Sequence, residues 1–589
     1  MLQLIVVLPL LISAILSLLF KGEKGLVKFI ALAASVLTLL IALYLFTAPA
    51  AVQTFQWFKV SNLAFNITTS TLPMNMLLLL IVSIITPLIF LYSFGFIGLP
   101  SEQQRFYFEM SVFAASMVLF SISASLITMF IAWEMLGISS YLLIGFWYQK
   151  ERAPTAARKA ITTVLIGDIF MLAGILSIGV SYGSFDFATI LAAPVSFYLT
   201  IGLICILIGA FTKSAQFPFH EWLADAMEGP TPVSAFLHSS TMVKAGVFLI
   251  AVLLPLYEAA GLLNLILAIG LISSLIGVTN ALTERHIKKV LAYSTIEDLG
   301  LMFVALGLGS LVAAMMLFFV QSFYKALLFM NAGSIMKAND EKEDLYQIYG
   351  STINKSIFVT LLIGALSLAG VFPLSGFFGK NLVESAAQNV IVYAIIILIE
   401  LGTSLYIFRW MFLTMRKSYP DEGVAKVNFK AIPKSMIIPT YMLAIFVIAA
   451  SAFYLWLPNY IAPGQSFNQI TPVGAVVGTA AVLFGLIIAF RLYRQGHRVR
   501  IESTNAIAYS LLYNSAITNK VYTLITASFG RIASLFSYND FGFDKATYGL
   551  AQGTVSTGNV VRKVINGQTN LYVLGFVLGI IFLLVIFTL

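Results

Sequence analysis

Long apolar runs separated by short polar breaks fill most of this 589-residue chain. A helix needs about 20 apolar residues to cross the hydrocarbon core of a bilayer. The pattern therefore predicts an all-α polytopic membrane protein with about sixteen transmembrane helices. The predicted spans are 2–20, 27–47, 72–95, 107–124, 126–148, 160–181, 196–226, 232–256, 262–282, 290–309, 311–336, 357–379, 386–415, 435–457, 471–491 and 570–589.

Two of these runs contain polar residues and a proline. The first break is Phe211–His220 around Pro218, and the second is Gly370–Lys380 around Pro373. Backbone groups freed inside a membrane must be satisfied by protein or water, so paired broken helices predict a water-accessible path through two related helical bundles. The alternative is two proline kinks that serve only packing.

The composition agrees with a lipid environment. Hydrophobic residues make up 60% of the chain and charged residues only 10%, against about 25% charged residues in soluble domains. The net charge of +9 does not indicate a nucleic-acid partner, because the basic residues lie in separate loops. They follow odd-numbered helices, as in Lys150, Arg152, Arg158 and Lys159, and again in Arg285, Lys288 and Lys289.

By the positive-inside rule these basic loops are cytoplasmic and both chain ends lie outside. The first apolar run has no basic residue before it, so we interpret it as a retained helix and not as a cleaved signal. Cys205 is the only cysteine in the sequence. An iron–sulfur cluster or a disulfide framework within this chain is therefore excluded.

Ionisable residues lie inside several predicted spans, where each costs about 2.5 to 3.5 kcal/mol on insertion scales. They are Glu134, Lys213, Lys244, Lys325 and Glu400, and Lys380 ends the second break. Low dielectric favours a neutral amine and a nearby carboxylate favours the ammonium form, so a carboxylate that approaches or leaves loads or unloads a proton. We predict Glu134 opposite Lys213 as such a switch. The alternative for each lysine is snorkelling or a static ion pair.

Other polar residues extend this predicted proton path. His238 precedes Lys244 by six residues and is either an intermediate carrier or a hydrogen-bonded packing residue. Two pairs, Gln321 with Lys325 and Lys380 with Glu384, have the i, i+4 spacing of one helix face.

Three acidic residues leave two readings open. Asp168 is either a further polar contact or a local anchor. Glu297 and Asp298 lie about two turns inside the cytoplasmic end of their helix, where they serve as a proton entrance or simply remain hydrated.

The chain divides into five predicted segments. They are 1–106 with N-terminal helices, 107–417 with the translocating core, 418–500 with additional helices, 501–569 with a lateral segment, and 570–589 with a final helix. Within the lateral segment, Tyr513–Phe536 has the pattern of an amphipathic helix on the membrane surface. An irregular cytoplasmic loop is the alternative.

Several motifs resemble the antiporter-like subunits of respiratory complex I and its relatives, the L subunit above all. They are Trp133–Trp147, Ala156–Ala160, Lys213–Pro218, Trp222–His238, Ile287–Thr295 and Gln568–Tyr572. The resemblance covers nearly the whole chain. It implies two inverted five-helix repeats with broken helices, and a C-terminal lateral amphipathic helix that braces neighbouring subunits.

The resemblance also implies roles for individual residues. Glu134 and Lys213 would form a modulating pair, His238 and Lys325 would lie on the central polar axis, and Lys380 would be the terminal lysine. Flavin, iron–sulfur clusters and quinone are expected in partner subunits and no redox cofactor in this chain. The expected partners are M- and N-type antiporter-like subunits, a small K-type subunit and peripheral redox subunits, in the plasma (inner) membrane.

Some positions depart from the L-subunit pattern. Leu317 and Gln321 stand where histidines are usual, so the central relay would depend more on water or on Lys244. Asn381 replaces an aspartate, and Glu384 is the residue that would compensate for it. The position of Lys244 resembles that of a lysine in the large subunit of Mrp-type sodium/proton antiporters. The segment Ile296–Gly300 resembles a segment in the membrane subunits of energy-converting hydrogenases. Those two complexes are the alternative hosts, and a purely structural scaffold is a third hypothesis.

Overall fold

The computed structural model describes residues 2–20, 25–60, 63–348, 354–415, 431–463 and 469–493. The predicted lateral segment 501–569 and final helix 570–589 lie outside these residues, as does the stretch 416–430. Within the described part, the chain folds into helices joined by short connections, together with one β-hairpin.

The N-terminal part consists of five helices and the hairpin. A 3-10 turn at Leu2–Val6 leads into α1 (Leu8–Leu19), α2 (Leu26–Thr47), β1 (Val52–Val60), β2 (Leu63–Ser70), α3 (Pro73–Phe96), α4 (Pro100–Ile122) and α5 (Leu126–Ile144). Proline begins α3 and α4, a position where its missing N–H is not needed. The Ser125 side chain caps α5 by accepting a hydrogen bond from the Thr128 N–H.

The hairpin is an element that the apolar pattern did not predict. β1 and β2 are antiparallel, with Val52 opposite Ser70 and a register shift between Gln56 and Phe58. Asp186 fastens β2 to the bundle, because Thr68 donates a hydrogen bond of 2.6 Å to its carboxylate. The hairpin is thereby held beside the start of α5.

The middle of the chain contains the first interrupted helices. Its elements are α6 (Arg152–Tyr182), α7 (Phe187–Leu191), α8 (Phe197–Lys213), α9 (Glu221–Asp225), a 3-10 turn (Ala226–Glu228), α10 (Thr231–Ser239), α11 (Met242–Val252) and α12 (Leu254–Ala259). The predicted span 232–256 is thus divided into three helices, with α10 and α11 separated at Ser240 and Thr241.

The remaining described elements complete the bundle. They are α13 (Leu263–Thr283), α14 (Ile287–Gly307), α15 (Leu311–Ala338), α16 (Lys355–Ala369), α17 (Ser375–Ala386), α18 (Val390–Thr414), α19 (Lys434–Ala449), a 3-10 turn (Ala450–Tyr454), α20 (Leu457–Ile461) and α21 (Pro472–Tyr493).

The first fifteen predicted spans each coincide with a helix or an interrupted helix, which confirms the all-α polytopic class. Twelve described helical segments, with α10 and α11 counted as one, are long and apolar enough to cross a membrane, and three shorter apolar helices accompany them. The count of sixteen crossings and the inverted repeats stay predictions. Nearly all residues of α10, α11, α14 and α15 are buried, whereas only a minority of the residues of α2 and α21 are. The four buried helices therefore form the centre of the bundle.

Both predicted breaks are present, and protein groups satisfy part of the freed backbone. At the first, Trp222 Nε1 donates to the carbonyl of Thr212 at 2.9 Å, and the Phe217 N–H donates to Ser273 Oγ at 2.9 Å. At the second, α16 ends on Gly370 with φ of 82°, and the Gly376 N–H donates to Ser367 Oγ at 3.2 Å. These bonds allow an interrupted backbone inside an apolar bundle.

Candidate functional site

The ammonium group of Lys213 lies at the end of α8, where the first break begins. Its Nζ donates to the Trp133 carbonyl at 2.7 Å and lies 3.9 Å from Asp168 Oδ2. The Trp133 indole closes the arrangement, because its Nε1 donates to Asp168 Oδ1 at 2.5 Å and its ring lies 4.3 Å from Nζ. Helices α5, α6 and α8 thus each contribute one member of a buried triad.

Close packing of α6 on α8 makes this triad possible. A Cβ atom at Gly167 would lie 1.8 Å from Thr212 Oγ1, so only glycine permits this helix separation. Asp168 is the next residue along α6, and Lys213 is the next residue along α8. The absence of a side chain at Gly167 therefore sets the distance between the two charges.

The ion pair at Lys213 includes a carboxylate that was not predicted as its partner. Lys213 pairs with Asp168, for which the sequence left a polar contact and a local anchor open, and Glu134 interacts with Lys213 electrostatically from a longer distance. Glu134 follows Trp133 on α5 and is half-buried. Its predicted role as a switch for Lys213 stays a prediction.

A second lysine, Lys244, lies where α11 begins. Its Nζ donates to the Phe318 carbonyl and to Ser322 Oγ of α15, each at 2.5 Å. No carboxylate pairs with it among the described residues, so its polar contacts there are to neutral oxygens, and the Phe318 ring lies 4.5 Å from Nζ. It is a buried amino group without a carboxylate held against it.

His238 lies at the end of α10 beside the interruption before α11. Neither ring nitrogen has a hydrogen-bond partner among the residues that the structure describes, and the ring packs 5.0 Å from the Phe329 ring. The Gln321 amide reaches the His238 carbonyl at 3.5 Å and makes no bond to Lys325. The structure therefore places His238 in a buried, mostly apolar position with both nitrogens available.

Lys325 forms the shortest of the buried ion pairs. Its Nζ lies 3.1 Å from Asp298 Oδ2, and neither side chain is accessible to solvent. Tyr324 donates a 3.1 Å hydrogen bond to the same oxygen, and Lys325 also donates to Ser294 Oγ. Helices α14 and α15 are joined here by charge and by two hydroxyl groups.

Lys380, on the far side of the second break, pairs with the residue next to Asp298. Its Nζ lies 3.6 Å from Glu297 Oε1, and Tyr406 donates to Glu297 Oε2 at 2.5 Å. Thr403 donates to Oε1 as well. Lys380 makes no ion pair with Glu384, although the spacing along α17 permits one.

The reading of Glu297 and Asp298 as hydrated residues is therefore wrong. Both are fully buried, because α13, α15 and α18 surround α14 at that depth. In the sequence, only the position of two adjacent acidic residues inside an apolar helix marked them as unusual. The sequence did not show which lysines would pair with them in the fold. The hydroxyl donors Ser294, Thr403 and Tyr406 carried no separate signal.

Polar cavities open where the basic loops lie. One of about 520 Å³ is lined by Lys150, Arg152, Glu228, Lys288, Lys337 and Glu343, among others. A second of about 490 Å³ is lined in part by Arg152, Lys159, Asp225, Glu228 and Lys289. Lys288 donates to the carbonyls of Met227 and Gly229 beneath the first cavity. Ionisable side chains therefore continue from this surface towards the first break.

Both the sequence and the fold of this chain match known proteins. The protein-family model described as NADH:quinone oxidoreductase/Mrp antiporter, TM, matches residues 123–406. The chain is 32% identical to chloroplastic NAD(P)H-quinone oxidoreductase subunit 5 of Nephroselmis olivacea, over 87% of this chain and 84% of that protein. This chain belongs to the subunit 5/L family.

Two further matches extend this finding. The subunit 5/L chain is 33% identical to F(420)H(2) dehydrogenase subunit L of Methanosarcina mazei, over 96% of its own length and 95% of that protein. Its fold matches a chain in the structure of the Mrp complex from Dietzia sp. DQ12-45-1b with a TM-score of 0.78 and 21% identity. The alignment covers 95% of the present chain and 63% of that one. These matches confirm the predicted class, an antiporter-like membrane subunit.

Proposed function

We propose that this subunit 5/L chain translocates protons within a complex-I-type quinone oxidoreductase, along the buried series of ion pairs. The observation that carries the proposal is the order of those pairs. Asp168–Lys213, Asp298–Lys325 and Glu297–Lys380 follow one another from the first break to the second. Isolated buried charges are costly, whereas paired ones exchange protons at lower cost.

The central pairs are coupled through the backbone of α14. Glu297 and Asp298 are neighbours in sequence, and each holds a lysine from a different helix. When Lys325 gives up its proton, Asp298 loses its counter-charge and becomes available to another cation. Within each pair the Coulomb attraction is about 5 kcal/mol at an effective dielectric of 20. The two pairs also interact with each other, because Glu297 and Lys380 act electrostatically on Lys325 together with Asp298.

Redox energy would arrive from elsewhere in the complex. Flavin, iron–sulfur clusters and quinone belong in this proposal to partner subunits, namely peripheral redox subunits together with M-, N- and K-type membrane subunits. The host membrane would be the plasma membrane, with the basic loops and their cavities on the cytoplasmic side. That placement lets the cavity above Lys288 serve as the proton entrance.

The test is proton pumping by the purified complex in proteoliposomes. We expect Lys325→Gln to lower the protons moved per electron at least tenfold while electron transfer with an uncoupler persists. The matched control is Lys355→Gln, because Lys355 is an exposed lysine at the start of α16. Unchanged pumping by an assembled Lys325→Gln complex would instead favour a structural scaffold with static ion pairs.

A second candidate is a cation/proton antiporter subunit, which the fold match to the Mrp complex favours. It predicts sodium-dependent proton exchange without any electron donor. Co-purification of flavoprotein and iron–sulfur subunits, together with exchange that needs redox turnover, would decide against it.

A further inference from the structure

Two buried carboxyl groups face each other beyond Lys380. Glu384 of α17 and Glu400 of α18 are 1% and 2% exposed, and their carboxyl groups lie close enough to interact directly. No other described residue donates a hydrogen bond to either oxygen of Glu384 or to Oε1 of Glu400. The pair thus lacks the N–H and hydroxyl donors that surround Glu297.

The wall opposite this pair is helical backbone without donor side chains. A Cβ atom at Gly478 of α21 would lie 2.8 Å from Glu384 Oε1 and 3.1 Å from Oε2. One turn earlier, a Cβ at Gly474 would lie 3.8 Å from Oε2. Helix α21 therefore closes the site tightly and leaves the carboxyl charge unneutralised.

The charge balance around the pair is unfavourable for two carboxylates. The described ionisable groups that face it are Lys380 of α17 and Tyr393 of α18, and α21 contributes none. Lys380 is 1% exposed, makes no hydrogen bond, and already pairs with Glu297 at 3.6 Å. One ammonium group thus serves three carboxyl groups.

The surroundings of the pair determine its protonation. An ionised carboxylate only accepts hydrogen bonds, so two buried carboxyl groups in contact and without other donors are stable together only when one of them carries a proton. Two like charges that share a buried site also cannot both be ionised without large cost. The contact between Glu384 and Glu400 is therefore built around a shared proton.

We propose that Glu384 and Glu400 form a dicarboxyl proton store that holds one proton at rest and receives a second from Lys380. This inference rests on the proposed function and adds a specific acceptor to it. In the loading step an N–H bond of the Lys380 ammonium breaks and an O–H bond forms on the ionised carboxyl. The amine becomes neutral, and the pair changes from a charge of −1 to zero.

The position of the pair suits release. Glu384 lies two residues before the end of α17, and the connection to α18 is exposed at Gln388 and Asn389. One proton leaves the pair towards this end and restores the singly protonated state. A fresh proton from the central lysines then recharges Lys380, so atoms and charges balance over the cycle.

The experiment compares Glu384→Gln and Glu400→Gln in the intact complex. A glutamine amide can still donate across the contact but cannot release a proton, so it imitates a permanently loaded pair. We expect pumping in proteoliposomes to fall at least tenfold in each variant, with uncoupled electron transfer retained. The control is Glu258→Gln, since Glu258 is an exposed carboxylate at the end of α12.

Infrared difference spectroscopy supplies a readout that a structural role would not move. The wild type should show one deuterium-sensitive carboxylic acid band that is absent in both glutamine variants and present in the control. Survival of that band in both variants, or its absence from the wild type, would overturn the inference. If one variant fails to assemble, the other decides, because the two residues lie on different helices.

The two proposals fail separately. If Lys325→Gln stops pumping and neither glutamate variant does, the subunit still translocates protons and the dicarboxyl store is wrong. If none of the three variants affects pumping, the translocation path itself is wrong.

Discussion

The Asp298–Lys325 pair allows a quantitative test of how buried charges are stabilised in this subunit. The two charges lie 3.1 Å apart and are inaccessible to solvent. At an effective dielectric of 20 their attraction is about 5 kcal/mol. Asp298→Asn keeps the shape of the side chain and an acceptor for Tyr324, but it leaves the ammonium group unpaired. Breaking one partner of a buried pair costs about 3 to 5 kcal/mol.

Two further variants separate charge from hydrogen bonding. Ser294→Ala removes one neutral acceptor from Lys325, and a hydrogen bond to a charged group contributes about 1.5 to 3 kcal/mol. The double variant Asp298→Asn with Lys325→Met removes both charges together. Replacing both members of a buried pair is often close to neutral. We therefore expect the double variant to be more stable than Asp298→Asn alone, although it should not pump.

The measurement is unfolding of the purified full chain in mixed micelles by titration with SDS, followed by tryptophan fluorescence. The expected order of stability is wild type, Ser294→Ala, then Asp298→Asn, with the double variant above the last. Two results would contradict this account of the pair: an Asp298→Asn variant that unfolds within about 1 kcal/mol of the wild type, or a double variant that is no more stable than Asp298→Asn.

Two more predictions concern packing and the loop before α16. Gly376→Ala places a Cβ atom 1.7 Å from the Ser367 carbonyl oxygen, so assembly yield should fall sharply, whereas Gly98→Ala meets no atom within 4 Å and should assemble normally. Burial raises the pKa of Glu343, but the hydrogen bond and charge of His286 and the charges of Lys288 and Lys150 outweigh this effect and bring the pKa from 4.5 down to about 2. The stabilisation from this half-exposed ion pair, below about 1 kcal/mol, requires a protonated imidazole. On the acid side it is fully present above pH 4.5 and is lost as the pH falls towards 2. Melting curves of Glu343→Gln and wild type should therefore converge in acid, and a constant difference would contradict the assignment.

Helix positions were largely predictable because the apolar runs have the length that a bilayer demands. The breaks around Pro218 and Pro373 were predictable for a local reason, since proline and polar residues interrupt an apolar run. The interruption at Ser240 and Thr241 contains neither proline nor glycine, so the local sequence gave little warning. It becomes understandable once Lys244 is seen to reach carbonyl and hydroxyl oxygens of α15.

The partners of the buried charges were less predictable than the charges. Each lysine of the core stood out against apolar neighbours, but ion pairing joins residues that are distant in the chain. The sequence pairs Lys213 with Glu134, and it gave no sign that close packing at Gly167 also brings Asp168 to within 3.9 Å of Lys213. Sequence spacing ranks neighbours on one helix and says little about contacts between helices.

The consecutive acidic residues of α14 have a mechanical consequence. Successive side chains on an α-helix point about 100° apart, so Glu297 and Asp298 contact lysines of two different helices, α17 and α15, from one helix. A small rotation of α14 about its axis would therefore alter both charge contacts at once, the one to Lys325 of α15 and the one to Lys380 of α17. The two ion pairs are mechanically linked through one rigid helix.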